Sequence, residues 1–171
     1  AFSVGEEELS GLDTTNLVGH LAAWNFFQSA DTDVNAEFVA AWKERMGEDR
    51  VTNDPMEAHY IGFNMWANAV TAAGTADVDA VREAMYGQEF PNLTGGTAVM
   101  LPNHHLAKPV LIGEITEDGQ FDIVSQTTEV AGDAWTDHLP ESAKLMSDWP
   151  GKGCGMWDTE TESCVQIQSN Y

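Results

Sequence analysis

Three helical stripes, each closed by a glycine, lie among short strand-like runs in the first half of this chain, and that alternation confines the fold to the α/β class. In the clearest stripe Asp54 stands as N-cap, Pro55 at the first helical position and Glu57 three residues after the cap. Met56, Tyr60, Phe63, Met65, Trp66 and Val70 follow, and Gly74 is the stop. Over residues 33–46, Val34, Phe38, Val39, Trp42 and Met46 form an amphipathic stripe that ends at Gly47. Over residues 77–86, Val78, Val81 and Met85 share a face before Gly87. Residues 16–20 and 50–53 read as short strands leading toward helices.

Beyond Gly87 the apolar spacing shortens, and residues 97–101, 110–116 and 120–126 read as strands. Asp118-Gly119 between the last two is a hairpin signal. From Gly132 onward the chain is rich in loop residues. Trp135, Leu139, Leu145 and Trp149 keep no steady period, so an extended segment pinned by aromatic side chains is expected. The resulting division is an α/β portion over 1–100, a crossover and strand return over 101–131, and a tail over 132–171.

Acidic residues number 28 against 7 lysines and arginines, a formal charge of −21 spread along the chain. Phosphate recognition needs clustered cations, so nucleic acid is excluded as a partner, and an anionic membrane surface is disfavoured on the same ground. Hydrophobic residues reach 43%, enough to bury a core in spite of the charge. The acidity fits saline surroundings, or an acidic face that meets a partner. No run approaches the roughly 18 apolar residues of a membrane-spanning helix. The chain opens on Ala1-Phe2-Ser3-Val4, a strand-like run without an initiator methionine, and reads as a processed product or a piece of something longer. Cys154 and Cys164 are separated by nine residues. A disulfide closing that loop contributes about 2–3 kcal/mol in the chain-entropy account and implies an oxidising compartment. The metal alternative lacks ligands, because His138 stands alone nearby.

Few motifs carry catalytic chemistry. Glu6-Glu7-Glu8 fits a solvated face complementing a helix N-terminus, though one member can face a cleft. His104-His105 cannot chelate together from a strand, where neighbours point to opposite faces. No Gly-x-Ser-x-Gly elbow, His-x-x-x-His or Cys-x-x-Cys occurs, and Gly95-Gly96 lacks the lysine and helix start of a phosphate cradle. Asn92-Leu93-Thr94 has the form of a glycosylation acceptor. No metal and no cofactor is expected. Ser3, Trp24, Asn25, Asn53 and Asp54 sit at or just after strand ends, where open α/β sheets bind ligands. Asp54 serves either as helix cap or as ligand group, and Trp24 either as core or as stacking surface.

Four blocks in order carry a resemblance: residues 2–9 around Ser3-Val4-Gly5-Glu6, residues 16–25 ending in Trp24-Asn25, residues 50–58 around Asn53-Asp54-Pro55, and residues 103–115 from Asn103-His104-His105 to Ile115. Together they resemble the substrate-binding proteins of bacterial urea ABC transporters, in the branched-chain amino acid and amide-binding group of type I periplasmic binding proteins. The cysteine pair after Trp149 resembles that family's ending. The resemblance implies the C-terminal-lobe portion of a two-lobed α/β fold, with a parallel sheet, flanking helices, a β-hairpin and an extended tail. It implies a periplasmic, non-enzymatic protein that captures urea and delivers it to ABC permease subunits, with a short-chain amide or branched-chain amino acid as the alternative ligand. The N-terminal lobe of the same protein is then the absent partner. Ser3 and Val4 are implied nearest the cleft, followed by Glu6 or Glu7, with Trp24, Asn25 and residues 53–57, Asp54 among them, behind. An amidase and a self-associating module are the rivals from other classes.

Overall fold

In the computed structural model, residues 3–132, 156–158, 161 and 163–165 are described. The chain divides into two units, Ala1–Gly132 and Asp133–Tyr171. Capping chemistry sets the helices of the first. The single turn α1 (Glu6–Leu9) starts where Glu8 Oε2 accepts the Gly5 N–H at 2.8 Å. After the strand β1 (Leu21–Trp24), Thr32 caps α2 (Asp33–Met46) by accepting the Asn35 N–H at 3.1 Å. Helix α3 (Asp54–Ala73) is capped by Asn53, whose Oδ1 accepts the Met56 N–H at 3.2 Å. The cap is therefore one residue earlier than the sequence implies, and Asp54 is released for other contacts. Gly74 ends α3 at φ +66°, a left-handed conformation that glycine adopts without steric cost. Asp77 caps α4 (Val78–Met85).

The strands that follow are β2 (Glu89–Pro91), β3 (Thr97–Met100), β4 (Leu106–Ala107), β5 (Leu111–Ile115) and β6 (Phe121–Gln126). They form two sheets, β1-β5-β6 and β2-β3-β4. Every pairing among the described residues is antiparallel, which corrects the expected parallel sheet. The one neighbour of β1, β5, comes from the returning chain after Pro109, so no helix-linked parallel crossover joins these strands. The hairpin at Asp118-Gly119 is present: Asp118 Oδ1 accepts from the Thr116 hydroxyl at 2.5 Å and the Gln120 N–H at 3.2 Å.

Three expected strands are absent or displaced. Residues 16–20 give way to a 3-10 turn (Thr14–Asn16), and the strand begins only at Leu21. Residues 50–53 are extended without a ladder, because the Thr52 N–H is taken by Gln28 Oε1 at 2.7 Å. Ser3 and Val4 lie outside any strand.

Two hydrophobic clusters fill the first unit. Leu9, Ala22, Phe27, Leu111, Ile115 and Phe121 pack in one, and Phe26, Ile61, Met65, Leu93 and Ala98 in the other. Consecutive residues Phe26 and Phe27 thus enter different clusters, as alternating side chains of extended backbone must. Gly113 lies against the Phe27 ring, where an added Cβ would stand 2.7 Å from Cε2 and Cζ. Asn92 is buried, and its Nδ2 donates to Thr94 Oγ1 at 2.9 Å, which overturns the glycosylation reading. In the second unit β7 (Met156–Asp158) pairs antiparallel with β8 (Ser163–Val165). The expected bridge involves Cys154, which, like the expected anchors Trp135, Leu139, Leu145 and Trp149, lies outside the described residues. Among the described residues no helix is long and apolar enough to cross a membrane.

Candidate ligand-binding site

A pocket of about 340 Å³ opens beside the start of α3, and its wall includes Asn25, Asp54, Ala58, His105, Lys108 and Val110. Three pieces of backbone deliver these groups. The end of β1 supplies Asn25, the first turn of α3 supplies Asp54, and the link from β4 to β5 supplies Lys108. Asp54 Oδ2 accepts the Asn25 N–H at 2.8 Å, and Asn25 Nδ2 donates to Pro109 O at 2.7 Å. These bonds join the three pieces into one wall.

Behind that wall Lys108 Nζ donates to Glu57 Oε2 in a buried ion pair. Glu57 is fully buried, and its Oε1 has no hydrogen-bond partner. Burial pushes the Glu57 carboxyl above its ordinary value while the Lys108 ammonium pulls it back. Burial likewise raises the Asp54 carboxyl, against the pull of Lys108 and of the Asn25 and Phe26 N–H groups. With all three groups ionised, one ammonium faces two carboxylates, a formal net charge of −1. His105 sits at the pocket with its Nδ1 3.2 Å from Asn103 O. Its neighbour His104 takes φ +67° in the preceding turn and meets the Tyr86 hydroxyl through Nε2 at 3.1 Å.

With this geometry in place, residues 1–141 match the periplasmic binding protein domain family. The chain belongs to that family. Its fold is type I, as in the amino acid ABC transporter substrate-binding protein of Pseudomonas fluorescens Pf-5, 22% identical, with a TM-score of 0.62 over 75% of this chain and 36% of that one. A benzoate-complexed solute-binding protein of Rhodopseudomonas palustris gives 0.64 at 12% identity, over 77% of this chain and 35% of that one. A curated relative called limonene hydroxylase, from Geobacillus stearothermophilus, is 33% identical over 75% of this chain and 22% of its own length. The periplasmic binding protein domain described here thus spans about a third of the solved relatives' length and about a fifth of that curated relative's.

Within this periplasmic binding protein domain the expected site residues divide. Asn25 and Asp54 come together at the pocket. Trp24 packs on the first cluster and donates its Nε1–H to Val4 O at 2.8 Å, which keeps both residues in local packing. Ser3 is exposed at a bend. Glu6 is buried, and its Oε1 accepts the Gln28 N–H at 2.6 Å. The acidic run is no common solvated face, for Glu7 pairs with Arg50 at 3.0 Å and Glu8 caps Gly5. Sequence reasoning passed over Lys108, placed Glu57 only among residues 53–57 behind the cleft, and weighed His105 only as a metal ligand. For Lys108 a signal existed: a single lysine between apolar strand runs, in a chain with so few cations.

Proposed function

We propose that this chain is the C-terminal-lobe portion of an extracytoplasmic solute-binding protein that captures urea, or an amide of similar size, for an ABC permease. The charge at the pocket carries this reading. Its one lining lysine, Lys108, is paired with Glu57, and Asp54 stands beside the pair. A ligand carboxylate meets no unpaired lysine or arginine on this wall. A neutral planar solute with N–H groups on two sides meets a carboxylate and a polar amide instead. Membership of a binding-protein family supports capture and release, with lobe closure favouring the liganded state through contacts made only when shut. A hydroxylase reading rests on the name of a relative of which this chain spans 22%.

Calorimetric titration of the full-length gene product with urea, acetamide, leucine and benzoate tests the proposal. Saturable heat with urea or acetamide and none with leucine or benzoate is expected. Binding confined to leucine or benzoate overturns it in favour of an amino acid or aromatic acid carrier.

A further inference from the structure

The ion pair between Glu57 and Lys108 is poorly arranged for stability. Two carboxylates share one ammonium in a buried setting, and one oxygen of Glu57 lacks any donor. Apolar residues of similar volume generally do as well or better at such positions. The arrangement does have a consequence at the pocket. Lys108 lines it, whereas Glu57 stands behind Lys108 and outside the lining. The other cations among the described residues lie elsewhere: Arg50 pairs with Glu7, Arg82 with Asp79, Lys43 borders a separate groove on α2, and Arg45 is exposed. Among the described residues Lys108 is thus the only lysine or arginine that an anion in this pocket could use.

We propose that Glu57 determines the charge selectivity of the cleft by occupying Lys108, so that the pocket accepts a neutral solute rich in N–H groups and rejects the carboxylate of the same shape. This deepens the reading given above and rests on it for the location of the ligand. Glu57→Gln preserves the side-chain shape and an acceptor for Lys108 Nζ, yet changes the sum of charges at the wall from −1 to 0. An anion then no longer works against a net negative wall in a medium of reduced dielectric.

Acetamide and acetate differ in charge and hardly in shape, and they are the probes. In calorimetric titrations of the full-length gene product, Glu57→Gln is expected to raise the acetate-to-acetamide affinity ratio about tenfold. An unchanged ratio in a folded Glu57→Gln protein overturns the proposal. Wild-type protein that binds acetate but neither acetamide nor urea sinks the neutral-ligand reading, while a gain of acetate affinity in Glu57→Gln still supports the role of Glu57. If Glu57→Gln does not fold, Glu57→Met decides the matter, since it too removes the Glu57 charge from Lys108. The acetate-to-acetamide ratio is again expected to rise about tenfold, and an unchanged ratio overturns the proposal.

Discussion

The Glu6 carboxylate accepts the Gln28 N–H at 2.6 Å through one oxygen, while its other oxygen is buried without a partner. Gln28 passes the constraint on: its own Oε1 receives the Thr52 N–H, and its Nε2 donates to Gln120 Oε1 at 2.9 Å. A carboxyl at the root of this network controls how α1, the entry to α3 and the β5–β6 hairpin hold together.

Burial lifts the Glu6 carboxyl from 4.5 to about 7, with the Gln28 N–H pulling downward and Asp54 and Glu8 adding upward pressure. The folded chain then holds the Glu6 proton more tightly than the unfolded chain does. Its contribution to stability is complete below pH 4.5 and is lost as the pH rises through about 7. The span corresponds to on the order of 3 kcal/mol. Glu6→Gln removes this dependence. Melting curves of both proteins between pH 5 and 8 should show the variant gaining on the wild type as pH rises, and a constant gap would refute the assignment.

Gly113→Ala forces a methyl group onto the Phe27 ring, whose nearest atoms are 2.7 Å from the new Cβ. Overpacking of this kind costs about 1–3 kcal/mol. A lowered guanidinium chloride midpoint is expected, with partial recovery when Phe27→Leu is added.

Lys108→Met leaves Glu57 buried and unpaired, and a loss of about 3–5 kcal/mol is expected. Adding Glu57→Met should return most of it, because an apolar pair needs no compensation. A denaturation cycle over the four proteins measures the coupling. Additive losses would mean that the two residues do not depend on one another.

Asp54→Ala takes from the pocket its lining carboxylate and from Asn25 its acceptor. Charge-assisted hydrogen bonds contribute about 1.5–3 kcal/mol each, so urea affinity should fall by roughly tenfold or more. Titration calorimetry on the full-length gene product reads the change directly.

What could be read in advance follows how locally each feature is encoded. The helices α2 and α3 were legible because their apolar stripes, Pro55 at the start of α3 and the stops at Gly47 and Gly74 act within a turn of their own positions, although the caps Thr32 and Asn53 were not read. The strand β1 was misplaced because its extent is fixed by pairing with β5, Leu21 opposite Glu114 and Trp24 opposite Leu111, far along the chain. Residues 50–53 look like a strand by composition, yet the Gln28 side chain rather than a neighbouring strand takes the Thr52 N–H. Asn25 and Asp54 were found through their place after strand-like runs. Lys108 was not, and the pairing of Glu57 with it was not, for nothing near either residue announces a partner 51 positions away.

Asn25, Phe26 and Phe27 are neighbours in sequence, and they touch the pocket wall, the second cluster and the first cluster respectively. A displacement of Asn25 is therefore passed to both aromatic interiors. One short stretch of backbone thus anchors the pocket wall to both aromatic interiors.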